Sequence, residues 1–162
     1  MSMSEITQTP VTLGSGRKRD VRTQFGALCW RMHKGRLKVA LVTSRHSKRW
    51  ILPKGWPVNG ATPAAAAARE AYEEAGLEGT VRDICLGVYS YQKRRKGAAA
   101  LPCVVAIFPM EVTKRHTNWP EAHERILTWV TPCEAADLVD SPELAQILLN
   151  FAAQEALVQH TG

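Results

Sequence analysis

The chain lacks the features that would assign it to a membrane, secreted or zinc-binding class. No apolar run approaches the roughly 18 residues that a helix needs to cross a bilayer. The first twenty residues contain no apolar stretch typical of a secretory signal. The cysteines form no C-x-x-C pair, so we expect reduced, mostly buried thiols of a cytoplasmic protein without a membrane partner. These are Cys29, Cys85, Cys103 and Cys133.

What remains is the composition of one enzyme-sized domain. A chain of 162 residues is long enough to bury about two-thirds of its unfolded surface as a single unit. We find no internal repeat and no second domain. We therefore predict one domain over residues 21–160, preceded by a polar, flexible segment over residues 1–20.

Apolar runs and turn signals alternate along the chain in a pattern that predicts an α/β fold. We expect a hairpin turn at residues 33–35 and a basic loop at residues 93–96, between two of the strands. Helices are predicted at residues 62–75, 132–139 and 142–158, and a Ser or Thr that can cap each of them stands at or just before its first residue. A mixed sheet between helices follows. The predicted strands are residues 24–31, 37–44, 50–52, 80–91, 99–112 and 125–130.

The first predicted helix places three carboxylates on one face. Glu70, Glu73 and Glu74 are three and four residues apart, so they are neighbours on a helix and repel one another. Acidic clusters of this kind are usually solvated faces, and the alternative is a shared cation. A hard divalent ion such as Mg²⁺ takes carboxylate and carbonyl oxygens and also binds substrate phosphates. Arg69 precedes Glu73 by four residues and can orient it.

The rest of that helix is rich in alanine and suited to packing on a sheet. Thr62 is a suitable N-cap, and Gly76 is suited to the left-handed residue that ends a helix. Ala66 and Ala67 are expected beside the acidic face and are too small to block it. The residues expected on the opposite, sheet-facing side are Ala64, Ala68, Ala71, Tyr72 and Ala75.

The segment from Gly55 to Leu77 resembles the Nudix box, G-x5-E-x7-R-E-U-x-E-E-x-G-U, where U is bulky and apolar. Two positions depart from it: Ala61 replaces the first box glutamate, and the small Ala71 occupies an apolar position. The resemblance implies an α/β/α sandwich with a mixed sheet between helices. The residues in register are Gly55, Arg69, Glu70, Glu73, Glu74, Gly76 and Leu77.

The same resemblance implies a metal-dependent site. In such a site Glu70, Glu73 and Glu74 hold Mg²⁺ or Mn²⁺, helped by a backbone carbonyl near Lys54 or Gly55. One of these carboxylates, or a further acidic residue from a loop, takes the proton from the attacking water. Two glutamates ahead of the last predicted strand are candidates for that extra role, and ordinary surface positions are at least as good an interpretation of them. They are Glu121 and Glu124.

The resemblance extends beyond the box to a particular branch of the family. The run S-R-H-S-K-R-W-I-L-P-K-G at residues 44–55 is similar to the segment before the box in diphosphoinositol-polyphosphate and diadenosine-polyphosphate hydrolases. Arg125 and Trp129 match an R-x-x-x-W spacing of that branch. Altogether the resemblance covers roughly residues 21–150.

Positive charge is the second informative feature. The net charge is +6, and the basic residues are bunched at residues 17–19, 45–54, 93–96 and 114–116. Each run alone is as well explained as a solvated loop, but beside an acidic helix together they indicate a partner with many phosphates. Trp56 or Tyr89 could stack on an adenine, although simple packing is the commoner role. Candidate phosphate contacts are Arg45, Arg49, Lys54, Arg125, Arg94 and Arg95, with Arg22 weaker.

The functional hypothesis is a metal-dependent pyrophosphohydrolase acting on a small-molecule polyphosphate. Diphosphoinositol polyphosphates and dinucleoside polyphosphates both fit the basic runs. Alternatives are an RNA 5′-pyrophosphohydrolase, since basic loops attract RNA as well, and a non-catalytic module that binds nucleotide or RNA. Retention of all three box carboxylates favours catalysis over binding alone. Relatives in this family suggest a monomer or a homodimer.

Overall fold

In the computed structural model, which describes residues 8–10 and 22–160, with side chains through residue 156, one mixed sheet of eight strands lies between three helices. This confirms the α/β/α sandwich. The predicted flexible segment and the basic run at residues 17–19 lie outside the described residues, apart from residues 8–10. The elements in chain order are β1 (Arg22–His33), β2 (Arg36–Thr43), β3 (Trp50–Ile51), β4 (Lys54–Gly55), α1 (Pro63–Ala75), β5 (Leu77–Val81), β6 (Gly87–Arg95), β7 (Ala98–Arg115), β8 (Leu127–Val130), α2 (Pro132–Leu138) and α3 (Pro142–His160).

The centre of the sheet is a parallel pair of long strands. β1 lies parallel to β7 from the Arg22–Cys103 pair to the Trp30–Glu111 pair, and the other strand pairs of the described sheet are antiparallel. The predicted hairpin between β1 and β2 is confirmed. Its turn residues Lys34 and Gly35 have φ values of 51° and 74°, as a tight hairpin turn requires.

The hairpin of β1 and β2 opens at one end, and this opening positions the site. The two strands pair only from Trp30 and Val39 toward the turn. Farther from the turn, the first half of β1 takes β4 as its partner, while the last residues of β2 take β3. The segment that links β3 to β4 is drawn close to β1, where the Ala27 amide donates to the Pro53 carbonyl at 2.9 Å.

The two faces of the sheet carry separate hydrophobic cores. α1 covers one face, and α2 with α3 covers the other. Alternating residues of β1 divide between them, because successive strand side chains point to opposite faces. The α1-side core contains Phe25, Ala27 and Cys29 of β1, whereas the α3-side core contains Leu28 and the half-buried Trp30.

The caps of α1 are formed as the sequence predicts. The Thr62 hydroxyl accepts from the Ala65 amide at 3.2 Å, and Gly76 ends the helix with φ 67°. A second cap comes from far away in sequence: the Gln8 side-chain oxygen accepts from the Ala64 amide at 3.0 Å. The capping predicted for the other two helices is also confirmed, through Thr131 and Ser141.

The buried side of α1 is rotated from the predicted one. Ala66 and Ala67, expected beside the acidic face, are fully buried, whereas Ala68 and Tyr72 are only partly buried. Glu74 is itself buried, with 6% of its surface exposed. The acidic face of the helix is therefore tilted toward the sheet rather than directed into solvent.

The single strand predicted at residues 80–91 is wrong, because two strands occupy this region. β5 and β6 lie end to end along the same edge of β7, and residues 82–86 bulge out between them. The Arg82 amide donates to the Pro109 carbonyl and the Leu86 amide to the Ile107 carbonyl, so five residues span two on the partner strand. The predicted basic loop is also mostly strand, with its turn at residues 96–97.

The cysteines and the helices can be compared with the predictions of buried thiols and of no membrane-spanning helix. All four cysteines are free, but only Cys29 and Cys103 are buried, whereas Cys85 and Cys133 are exposed. The expectation of mostly buried thiols is therefore wrong for two of them. Within the part of the chain that the structure describes, no helix is both long and apolar enough to traverse a membrane.

Candidate active site

A cleft of about 1190 Å³ opens where β1 and β2 part. One wall is the acidic face of α1 with the loop at residues 116–126, and the other is the segment at residues 44–58 with β6. Most of the predicted site residues line it, whereas Arg22, Arg95 and Glu124 lie outside. The predicted residues that line the cleft are Arg45, Arg49, Lys54, Gly55, Arg69, Glu70, Glu73, Glu74, Arg94, Glu121 and Arg125.

The loop at residues 116–126 is fastened to the end of α1. Carbonyl groups at a helix C-terminus lack intrahelical partners, and this loop supplies them. The Glu121 amide donates to the Glu73 carbonyl at 3.1 Å, and the Trp119 indole to the Glu74 carbonyl at 3.1 Å. The His116 amide donates to the Gly76 carbonyl at 2.9 Å. This attachment brings the Glu121 side chain into the cleft.

Arg125 joins two of the carboxylates at the floor of the cleft. Its Nη2 lies 3.2 Å from Glu74 Oε1 and 3.2 Å from Glu121 Oε1, and its Nη1 donates to the Thr43 carbonyl at 3.0 Å. The side chain is 6% exposed, and its Nε has no partner within the described residues. The predicted phosphate contact by Arg125 stays a prediction, but its guanidinium fork is already engaged by carboxylates.

Glu70 differs from its two neighbours because it is unpaired. Arg69 Nε lies 3.1 Å from Glu73 Oε1, which is the interaction that the spacing predicts. Glu70 has no hydrogen bond or ion pair to another described residue, and it packs against the Gly55 backbone. A Cβ atom at Gly55 would overlap the Glu70 carboxylate, so this position requires glycine for the acid to lie there.

The cleft disfavours negative charge on two of its carboxylates, Glu70 and Glu74. The pKa of Glu70 is raised to about 7, first by burial and then by the negative charges of Glu73 and Glu121. The positive charges of Arg69 and Arg125 lower it by a smaller amount. Burial also raises the pKa of Glu74, against the opposing charges of Arg125 and Lys54. The pKa of Lys54 is lowered, first by burial. An additional cation would relieve the crowding of acidic groups.

The acidic residues fit a divalent cation with oxygen ligands. Within the described residues, no three acidic, histidine or cysteine side chains converge as a ready-made metal cluster. The unpaired carboxylate of Glu70 lies against the backbone at Gly55, where a side chain would fill the space. Carboxylate and carbonyl oxygens are the donors that Mg²⁺ and Mn²⁺ take. Glu73 and Glu74 would have to release their arginine partners, Arg69 and Arg125, to bind the same ion as Glu70.

The arginines at the rim are half-exposed and paired with acids. Arg45 Nη1 lies 3.6 Å from Glu121 Oε1 and 3.8 Å from Glu124 Oε2. Arg49 Nε lies 3.4 Å from Asp140 Oδ2. Exposed ion pairs of this kind contribute little stability, so both guanidinium groups can exchange a carboxylate for a phosphate at low cost.

Arg95, a predicted substrate contact, lies outside the cleft. The register between β6 and β7 shifts between Lys93 and Arg95, so the alternation of side chains along the strand is interrupted there. Arg94 lines the cleft as a result. Arg95 instead donates from Nε and Nη2 to the Ala99 carbonyl, at 3.0 and 2.9 Å, within its own hairpin.

Sequence reasoning missed Tyr91, the middle residue of a row on β6 that lines the cleft. Tyr89 is a predicted stacking residue and Lys93 belongs to a predicted basic run, so their spacing of two residues from Tyr91 is the signal that could have found it. The Tyr91 hydroxyl donates to the buried Gln24 side-chain oxygen at 2.5 Å. The sequence predicts Gln24 only as part of a strand, and the residues around it do not indicate a contact with Tyr91.

Comparisons with known proteins agree with this geometry. A family model described as the NUDIX domain matches residues 22–151. The chain is 33% identical over 106 residues to the mitochondrial Nudix hydrolase 12 of Arabidopsis thaliana, covering 64% of this chain and 52% of that protein. It is 32% identical over 101 residues to diphosphoinositol polyphosphate phosphohydrolase 3-alpha of Mus musculus, covering 62% and 57%.

The chain thus spans little more than half the length of these curated relatives. Among solved structures, an Ap4A hydrolase of C. elegans superposes with a TM-score of 0.60 at 21% identity. The superposition covers 83% of this chain and 98% of that one. At this identity the likeness shows the fold alone.

Proposed function

Because this chain belongs to the NUDIX family, we propose that it is a metal-dependent pyrophosphohydrolase that cleaves a phosphoanhydride bond in a polyphosphorylated small molecule. The observation that carries the proposal is the cleft itself, in which an unpaired, half-buried Glu70 faces a wall of cations. Relatives are named for diphosphoinositol polyphosphate and for Ap4A, so either a diphosphoinositol polyphosphate or a dinucleoside polyphosphate is the proposed substrate.

Mg²⁺ or Mn²⁺ is the proposed cofactor. Glu70, Glu73 and Glu74 would hold it, together with the backbone carbonyl at Gly55. When bound, such an ion neutralises charge on the phosphoryl oxygens and orients the phosphate chain.

Glu70 is the proposed proton acceptor for the attacking water. It is the one box carboxylate without an ion pair to another described residue, so it can accept a proton without giving up a partner. Glu121 is less suited, since Arg125 and Arg45 both lie on its carboxylate. We assign Glu121 and Arg125 to positioning instead, because together with Thr43 they hold Glu74 at the cleft floor.

The opposite wall would hold the phosphate chain. Lys54 projects from β4 beside the carboxylates, and Arg94 lines the cleft from β6. Arg45 and Arg49 lie at the rim, where partner exchange with a phosphate is favourable. Cations on this wall would bind the non-reacting phosphates and hold the scissile bond over the acidic residues.

Product release with Mg²⁺ tests the proposal directly. The panel is a diphosphoinositol polyphosphate, Ap4A, Ap6A, ADP-ribose, a nucleoside triphosphate and a 5′-triphosphate RNA. Glu70→Gln should lower turnover by about 10²- to 10⁴-fold, whereas Glu111→Gln, the same change at an exposed position of β7, should leave it unchanged. Binding without turnover of any member, with Mg²⁺ or Mn²⁺, would instead identify a non-catalytic binding module.

Cytoplasmic location and a monomeric or homodimeric state stay predictions. Arabidopsis relatives carry mitochondrial and chloroplastic names, so localisation of the tagged chain would be informative. Sedimentation of the purified chain would establish the oligomeric state.

A further inference from the structure

Two cation–π contacts cross the cleft from opposite sides. Lys54 Nζ lies 4.9 Å from the centre of the Tyr91 ring, and Lys93 Nζ lies 4.7 Å from the Trp56 ring. Residues 54 and 56 belong to β4 and the segment after it, whereas residues 91 and 93 belong to β6. Each side therefore contributes one cation and one aromatic ring.

The two contacts lie at different depths. Lys54 is mostly buried beside Glu74, to which its amide donates at 3.4 Å. Tyr91 and Lys93 are both partly buried, and Trp56 is the more open partner, with 39% of its surface exposed. The inner pair thus adjoins the carboxylates, and the outer pair lies at the cleft mouth, where the part of a substrate beyond its phosphates would lie.

The charge balance of the cleft limits how many phosphates it can hold. Seven cationic and five acidic side chains line it. Four of the cations already face carboxylates, namely Arg45, Arg49, Arg69 and Arg125. Three remain without an ion pair within the described residues. The three are Lys54, Lys93 and Arg94. Even when Arg45 and Arg49 exchange their acids for phosphate, these five cations lie along one wall, which suits a linear chain with an uncharged end better than a ring with phosphates all round it.

We infer that Trp56 and Lys93 form a specificity element that selects substrates carrying a nucleobase. The base stacks on the Trp56 ring, while Lys93 leaves that ring and contacts a phosphate. The inference rests on the proposed hydrolase function and deepens it by naming a dinucleoside polyphosphate as the substrate class.

The exchange of partners at Lys93 has a physical basis. A cation–π contact on an exposed ring such as Trp56 is weak, whereas a contact between ammonium and phosphate is a charge-assisted hydrogen bond. The indole ring freed by Lys93 is the more exposed of the two tryptophan rings, Trp50 and Trp56, that line the cleft. Base–aromatic stacking accepts every base because each has a π-face. An inositol ring has none.

Variants of Trp56 test the inference through a ratio of two substrates. For each variant, kcat/KM is measured with diadenosine tetraphosphate and with diphosphoinositol pentakisphosphate, with Mg²⁺ present. Trp56→Leu should lower the ratio of the first to the second about tenfold, as expected for the loss of one stacked base. Trp56→Phe keeps an aromatic face and should keep the wild-type ratio. Equal losses on both substrates in Trp56→Leu would overturn the inference.

A matched pair of lysine variants tests the second part of the inference, the contact between Lys93 and a phosphate. Lys93→Met and Lys96→Met remove the same charge, but only Lys93 lines the cleft and contacts Trp56. Lys93→Met should raise KM for diadenosine tetraphosphate, and Lys96→Met should not. Equal KM values for the two variants would show that Lys93 does not take a phosphate.

A binding measurement separates this inference from the proposed function. Calorimetry with a methylene-bridged, non-hydrolysable diadenosine tetraphosphate should show weaker binding to Trp56→Leu than to Trp56→Phe. If the wild type binds this analogue but hydrolyses nothing, the hydrolase proposal fails and the stacking inference is still tested. Equal binding by the two variants would reject Trp56 stacking even in an active enzyme.

Discussion

The two faces of the sheet are packed by different kinds of residue. α1 meets the sheet almost entirely through alanines, and α3 meets it through large side chains, namely Leu144, Ile147, Leu148 and Phe151. Small residues let α1 lie close to the strands, so that Glu70 and Glu74 reach backbone at β4. The difference indicates that the α3 side supplies most of the hydrophobic stabilisation, while the α1 side carries the chemistry.

The α1 side also contains the unfavourable groups of the described residues. Glu74 is buried with a raised pKa, and the Nε of Arg125 has no partner. Buried polar groups of this kind cost stability. We therefore expect changes on the α1 side to affect activity before stability, and changes on the α3 side to do the reverse.

The largest expected effect follows removal of the unpaired acid. Glu70→Gln should lower kcat by about 10²- to 10⁴-fold, the range for loss of a general base. Its melting temperature should not fall, because a carboxylate disfavoured by burial becomes neutral. Steady-state kinetics and calorimetry on the same preparation measure both. If Glu70→Gln lost stability as well as activity, the proposed division between an α1 side that serves activity and an α3 side that serves stability would be wrong.

Truncation on the opposite face should have the reverse outcome. Leu148 is fully buried under α3, so Leu148→Ala should destabilise the fold by about 2–5 kcal/mol. Its kcat at a temperature well below unfolding should match the wild type, since Leu148 itself does not line the cleft. Urea unfolding gives the first quantity, and a marked fall in kcat would contradict the expectation.

A pair of glycines offers a sharper, smaller test. Added Cβ atoms would meet the Glu70 carboxylate at Gly55 and the Ile147 side chain, 2.7 Å away, at Gly87. Gly55→Ala should displace the acid and lower kcat with little change in stability. Gly87→Ala should crowd the apolar core, cost about 1–3 kcal/mol and leave kcat unchanged. Matching profiles for the two variants would remove the distinction.

The smallest expected effect is a pH dependence of the metal-free protein. Glu70 has a higher pKa in the folded chain, about 7, than the ordinary value of 4.5. The contribution of a group with a raised pKa is fully present below about pH 4.5 and is lost as the pH rises through about 7. The melting temperature of Glu70→Gln should therefore decline less than that of the wild type over this window. If the melting temperatures of the two proteins changed in parallel with pH, Glu70 would not be the group responsible for the pH dependence.

The candidate site was largely predictable because its residues lie in one local pattern. The spacing of Glu70, Glu73 and Glu74 on a helix bounded by Thr62 and Gly76 requires no knowledge of tertiary structure. The strand pattern likewise gave the sandwich, since apolar runs and capping residues are local signals. Site residues that lie within about twenty positions of one another can therefore be identified from the sequence before the fold is known.

The features that the sequence did not predict have a common cause, which is pairing between distant strands. The basic run at residues 93–96 predicts Arg95 as a substrate contact, and only the register against β7 shows the irregularity that leaves it outside the cleft. The strand expected at residues 80–91 is broken for the same reason, by residues that bulge along the edge of β7. Arg125 could be recognised as a cation, but its carboxylate partners lie 51 and 4 residues away.

The attachment of the loop at residues 116–126 to the end of α1 has a consequence for local unfolding. Its amides and the Trp119 indole hold carbonyls of the last helical turn, so neither segment can open without breaking bonds to the other. Regions linked in this way open as one cooperative unit, visible in hydrogen exchange as amides with a shared opening free energy. The acids of the helix and Glu121 of the loop would then disassemble together, which makes the acidic wall an all-or-none structure.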